Sequence, residues 1–185
     1  MQIRPLTPDL LPDLRRLFGA DSVARGCWCL HWRIATAERK TIAAADRPAR
    51  FAAETEGTVP GLIAHDAQGP AAWVQITPRA QVPRFNQVPT ALPAADTPAG
   101  TWALSCFFIR KDLRRQGLMT RLAQAACTHA AAHGATAVEA AARRPGGSTA
   151  WGEGFTGLVP SLLKAGFAEV EQRSPVRVLM RWSAT

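Results

Sequence analysis

No tyrosine occurs anywhere in the 185 residues. Any proton this chain moves is therefore moved without a phenol, a donor with a pKa of about 10. The sequence also lacks a basic-then-apolar leader at Met1, and no apolar run approaches the roughly 20 residues that span a bilayer. A soluble, cytoplasmic protein with no membrane partner is expected. The alanine-rich span from Ala123 to Ala142 is interrupted by Gln124, His129, His133 and Glu139, and reads as a helix followed by a strand. Cysteine is sparse, at four residues without the spacing of a disulfide scaffold, which suits a reducing compartment. Internal repeats and an obvious linker are missing too, so one domain over residues 1–185 is expected.

What is present is an ordinary globular composition, 47% hydrophobic and 19% charged, carrying an excess of base. The net charge is +8 and the sequence pI about 10.6, which admits a nucleic acid, an anionic surface or a phosphorylated cofactor. The base is unevenly spread. Arg110, Lys111, Arg114, Arg115 and Arg121 fall within twelve positions and are opposed only by Asp112. Such a concentration favours a local phosphate site over a broad nucleic-acid face.

The elements alternate. Met1–Arg4 reads as a strand. Thr7 then caps a helix that has Pro8 at its first position, Leu10, Leu11, Leu14, Leu17 and Phe18 on one face, and Gly19 at its end. Cys27 to Arg33 is dense in sulfur and aromatic residues. Thr36 to Glu56 is helical, restarting at Pro48 with Asp46 as a cap and stopping at Gly57. Gly61–His65 and Ala71–Ile76 form a hairpin about the Asp66–Pro70 turn. Thr77 to Gly100 holds five prolines and reads as a long surface loop. A strand over Trp102–Ile109, a helix over Leu118–His133, a strand over Thr136–Ala142, a glycine-rich loop from Arg143 to Gly154, a helix over Phe155–Ala165 and two strands near Phe167–Gln172 and Val176–Trp182 complete an α/β chain.

One stretch stands out: the apolar strand Cys106-Phe107-Phe108-Ile109, the basic turn Arg110-Lys111-Asp112-Leu113-Arg114-Arg115-Gln116-Gly117, and the helix start Leu118-Met119-Thr120-Arg121. The first amides of a helix lack intrahelical partners and lie at the positive end of its dipole. With Gly117 admitting a close approach and arginines beside it, the turn is built to hold an anion such as a pyrophosphate.

With these elements in this order the chain resembles the GNAT superfamily of acyl-CoA-dependent N-acyltransferases. The family pattern Arg/Gln-x-x-Gly-x-Gly/Ala is similar to Arg114-Arg115-Gln116-Gly117-Leu118-Met119, with Met119 in the place of the final small residue. Leu162-Leu163-Lys164-Ala165-Gly166-Phe167 resembles the family's helix-to-Gly-Phe signature, and the similarity covers nearly the whole chain. The resemblance implies a central mixed, mostly antiparallel twisted sheet flanked by helices. It also implies acetyl-CoA as co-substrate, with its pyrophosphate on Arg114, Arg115, Gln116, Gly117, Leu118, Met119 and Thr120 and its pantetheine along Phe107, Phe108 and Ile109. A primary amine, on a small molecule or on a protein or peptide, would attack the thioester directly while strand amides polarise its carbonyl. A homodimer is an open assembly.

For the proton work, the family's tyrosine position falls on Leu162. Cys106 and Ser161 are the candidate acids, beside unassisted departure of the thiolate or a water. Glu139, a lone carboxylate in an apolar strand, is the candidate base, followed by His65 and His31. Trp28, His31, Trp32, Trp73 and Arg79 are candidates for the acceptor pocket, with core packing the alternative for the tryptophans. The loop with Trp151 and Glu153 is a candidate cover for the acceptor. Cys27-x-Cys29-x-His31 lacks the second ligand pair of a zinc site, so no metal is expected. Two other functions stay open: a non-catalytic acyl-CoA-binding or sensing module, and a toxin-like acetyltransferase acting on aminoacyl-tRNA.

Overall fold

The computed structural model of the chain describes residues 1–145 and 154–184. Its strands are β1 (Gln2–Pro5), β2 (Gly61–Asp66), β3 (Gly69–Pro78), β4 (Thr101–Ile109), β5 (Ala137–Arg143), β6 (Ala168–Ser174) and β7 (Arg177–Ser183). They form one sheet in the order β1-β2-β3-β4-β5-β7-β6, antiparallel throughout except for the parallel pair β4–β5. Its helices are α1 (Leu11–Gly19), α2 (Ser22–Cys27), α3 (Thr36–Thr41), α4 (Arg47–Glu54), α5 (Leu118–Ala132) and α6 (Val159–Lys164).

Both faces of the sheet are covered, which is why β3 is buried from Pro70 to Thr77 and reads as a continuous apolar run. On one face α5 and α6 bury Leu122, Ala123, Ala126, Ala130 and Leu162 against Val74, Leu104, Phe107 and Val138. On the other, α1 to α4 gather Leu14, Phe18, Trp28 and Phe51 over Ile63, Trp73 and Phe108. Beside that cluster, a smaller one joins Trp32, Val82 and Phe85 to Ala103 and Ala141.

Several boundaries differ from the sequence reading. Thr7 makes no side-chain cap; Pro8–Leu10 is a 3-10 turn, and α1 begins at Leu11. The expected helix over 36–56 is two short ones, and Asp46 caps neither with its side chain. Between Gly19 and Trp28 lies α2, whose cap is Asp21, accepting from the amides of Val23 and Ala24. The long loop after β3 folds into two 3-10 turns, Arg79–Gln81 and Pro83–Asn86, that bury Arg79, Val82 and Phe85. The last helix starts at Val159, four residues later than its apolar pattern suggests.

Two irregularities of β4 position the site. Gln75 pairs with Cys106 but Ile76 pairs with Leu104, so Ser105 is an extra residue, a β-bulge. On its other side β4 pairs with β5 only over Thr101–Ala103, against Ala137–Glu139. Beyond these rungs the strands part: β4 stays with β3 and β5 stays with β7. The result is a wedge in the middle of the sheet. Residues 155–158 enter it: the Phe107 amide donates to the Phe155 carbonyl, the Arg143 amide donates to Gly157, and Leu158 bridges to Arg143.

Candidate active site

The turn between β4 and α5 begins with a 3-10 turn at Lys111–Leu113. Arg115 and Gly117 then take positive φ, 63° and 77°, on either side of Gln116. This winding brings the chain into α5 with its first amides facing outward. A Cβ built on Gly117 meets nothing within 4 Å, so the space in front of the turn is open.

The basic side chains divide the work. Arg110 is not available to a ligand: it pairs with Asp66 at 2.5 Å and Asp112 at 2.8 Å, tying the turn to the β2–β3 hairpin. That guanidinium holds both carboxyls below the usual carboxylate range. Arg114 is a strut, its Nε donating to the Ile109 carbonyl at 2.9 Å. Gln116 folds back to the Asp112 carbonyl, and Thr120 Oγ1 donates to the Ser161 carbonyl at 3.1 Å. Lys111, Arg115 and Arg121 are exposed around the opening. Leu118 is buried, while Met119 is half-buried at the edge of the α5 core.

On β4, Phe107 points to α5, Phe108 points to the N-terminal helices, and Ile109 is half-buried. Cys106 lies on the N-terminal side, where hydrogen bonding with Cys29, burial and the charge of Cys29 push its thiol well up. Its proton is held more firmly than in a free cysteine. Ser161 sits on α6, across the sheet from Cys106 and next to Thr120.

Glu139 is fully buried on β5. Its carboxylate accepts from Arg79, from Arg181 at 2.8 and 2.9 Å, and from Thr97 at 2.9 Å. Arg181 also holds Asp96, while Arg79 holds Asn86 and the Ala91 carbonyl. The group therefore fastens the long loop after β3 onto the sheet.

The acceptor candidates fall into two groups. Trp28 and Trp73 belong to one aromatic cluster, each edge-on to Phe18 at 5.3 and 6.4 Å. Trp32 packs on His31 and Phe85 in the other, with Arg79 lying 5.0 Å over the same Phe85. Trp28 also floors an open cavity of about 340 Å³ between Arg15 and Arg25, walled by Ala44, Ala45 and Pro48. The His31 pKa is lowered to about 4 by burial and by the cations Arg84 and Arg39. His65 pairs with Asp13 at 2.8 Å. Among the described residues no three His, Cys, Asp or Glu side chains converge to hold a metal. Trp151 and Glu153 lie outside the described residues.

Among the buried polar residues that escaped the sequence reading are Arg33, Gln75 and Ser105. The last two were visible as single polar letters inside the apolar runs Ala71–Ile76 and Trp102–Ile109.

The sequence from residue 14 to 151 matches the model of the Acetyltransferase (GNAT) family, and the chain belongs to that family. It is an acyltransferase by that membership. No curated protein matches it closely enough to count as a relative. Among solved structures it is similar to the PaiA N-acetyltransferase from Thermoplasma acidophilum in complex with coenzyme A. That likeness has a TM-score of 0.56 at 10% identity and covers 99% of this chain and 98% of the other. The ribosomal-protein-alanine N-acetyltransferase from Brucella melitensis superposes with a TM-score of 0.57 at 14% identity over 100% of both chains. Aminoglycoside acetyltransferase AAC(6')-Ib in complex with coenzyme A gives 0.58 at 16%, covering 98% of this chain and 94% of the other. At such identities these likenesses concern the fold.

Proposed function

We propose that this chain, as one domain, transfers an acetyl group from acetyl-CoA to a primary amine by direct attack within a ternary complex. The observation that carries the reading is the join of two features on β4: an open, positive-φ turn into α5, and the wedge that begins where β4 and β5 part. The turn offers outward amides from Arg115 to Thr120 to a pyrophosphate, with the exposed Arg115, Lys111 and Arg121 adding charge. The wedge offers one strand edge to an extended pantetheine arm, as a sheet edge receives an added strand. The Phe107 amide, which meets the Phe155 carbonyl in this structure, would be exchanged to the thioester oxygen and polarise it.

Glu139 has a positioning task in this reading and not that of a base, because its lone pairs are taken by Arg79, Arg181 and Thr97. The family's other members act on amines as different as an aminoglycoside and a ribosomal-protein alanine, by their names. A binding-only module is the second reading, supported by that engaged carboxylate and by the absence of tyrosine.

Gly117→Glu tests the cradle. The substitution puts a side chain on a positive-φ backbone and a negative charge where the pyrophosphate belongs. Titration calorimetry should show CoA binding weakened more than about 100-fold, a loss of roughly 3 kcal/mol, while the positive-φ strain lowers Tm by only about 2–8 °C and the domain stays folded. Near-normal affinity would refute the assignment of this turn.

A further inference from the structure

Arg33 carries its guanidinium into the seam between the two clusters on the N-terminal face of the sheet, where 4% of the residue is exposed. Burying a full charge is costly unless an opposite charge meets it. Among the described residues none does. Nε donates to the side-chain oxygen of Gln75 at 3.3 Å and Nη1 to the Gln81 carbonyl at 3.4 Å, while the Phe51 ring lies 5.9 Å away. Nη2 has no partner among the described residues. Glu54, the nearby carboxylate, pairs with Arg50 instead. Burial lowers the guanidinium to about 10, which still leaves it charged at neutral pH.

Gln75 is fully buried and passes the interaction on. Its oxygen faces Arg33, so its nitrogen faces the other way and donates to Ser105 Oγ at 2.7 Å. A hydroxyl that accepts there keeps its own hydrogen to give elsewhere. Ser105 is the extra residue of the β4 bulge, two positions before the Phe107 amide and just beyond the rung where β4 and β5 part. A chain of aligned N–H···O bonds thus runs from an uncompensated charge to a hydroxyl on the strand that borders the wedge. Such bonds polarise one another, and bulges beside sites commonly aim a side chain.

We infer that Ser105 is the proton carrier of acetyl transfer, with Gln75 and Arg33 as its positioning residues; the inference rests on the acetyltransferase reading above. The amine nitrogen bonds to the acetyl carbon while the carbon–sulfur bond breaks and its electron pair leaves on sulfur. The thiolate takes the Ser105 hydroxyl proton, and Ser105 Oγ takes the proton shed by the acylated nitrogen. The products are the N-acetyl amine and free CoA thiol, with Ser105 restored. Arg33, through Gln75, stabilises the oxygen while it lacks its proton.

Gln75→Glu separates this role from a structural one. It is nearly isosteric and supplies Arg33 with a carboxylate, so the fold should be at least as stable. A glutamate has no N–H for Ser105 and takes up the serine hydrogen instead. Tm should not fall and the calorimetric Kd for CoA should stay within about twofold. The kcat for thiol release from acetyl-CoA should drop at least about 10-fold at little-changed KM. Ser105→Ala should lose about 100-fold in kcat, and the double variant no more than Ser105→Ala alone. Release is followed both with water and with the best of a panel of amines as acceptor. Either single variant folding, binding CoA and turning over at the wild-type kcat overturns the inference and leaves the acetyltransferase reading standing. A wild-type protein that neither binds CoA nor releases thiol brings down that reading, and the inference with it.

Discussion

Glu139 shows how one residue's surroundings decide its work. A lone carboxylate in an apolar strand invites a catalytic role, but its partners Arg79 and Arg181 come from positions 60 and 42 residues away. No local pattern carries that pairing. Glu139→Ala leaves two guanidiniums facing a void and should cost about 3–5 kcal/mol in chemical denaturation. Glu139→Gln should cost less and leave the acidic limb of the pH–rate profile in place. His31 makes a second residue-scale prediction. Its folded pKa of about 4 lies below the ordinary 6.5, so protonation favours the unfolded chain. Stability should be full above pH about 6.5 and decline as pH falls toward 4, and His31→Gln should flatten that decline in urea midpoints measured against pH. Asp66, Asp96 and Asp112, held low by Arg110 and Arg181, act in a separate window: their contribution is present above about pH 4 and is lost below it.

Among the elements, those that depend on local signals were legible: the β2–β3 hairpin, the strand–turn–helix from β4 to α5, and the β6–β7 pair all lie close to where pattern and turn chemistry put them. Those set by contacts distant in sequence were not. The wedge exists because β5 pairs with β7 instead of following β4, and the bulge at Ser105 is a matter of register with β3. The aromatic segment after α2 reads as one patch, yet Trp28 and Trp32 serve different clusters because Trp28 and Cys29 both take φ near 52° and turn the chain. Residues 155–158 carry an element-scale prediction. Gly157 has φ 97°, and a Cβ there would crowd Phe107 and Leu162 at 3.2 Å. Gly157→Ala should lower stability by about 1–2 kcal/mol in chemical denaturation, since the backbone strain alone is of that order. Because it loosens a segment lying where the pantetheine is proposed to run, it should leave CoA binding equal or tighter by calorimetry.

At the scale of the molecule, a seven-stranded sheet with both faces covered brings an open positive-φ turn, a parted strand pair and a buried polar chain to a single strand, β4. The excess positive charge is correspondingly divided: part is spent on internal ion pairs such as those of Arg110 and Arg181, and part surrounds the opening before α5. The family is written in contiguous residues and could be read from them, as could the turn proposed to hold the cofactor. The residues proposed for the acceptor fall in two separate clusters, a division that no contiguous pattern carries. In the proposed reaction this arrangement moves an acetyl group from acetyl-CoA to an amine. The most direct test is to incubate the protein with acetyl-CoA and a broad panel of amines, following free thiol by colour and acetylated product by mass. Thiol release should rise with at least one amine, matched mole for mole by its N-acetyl product. Tight CoA binding with no acetylated product across the panel would contradict it.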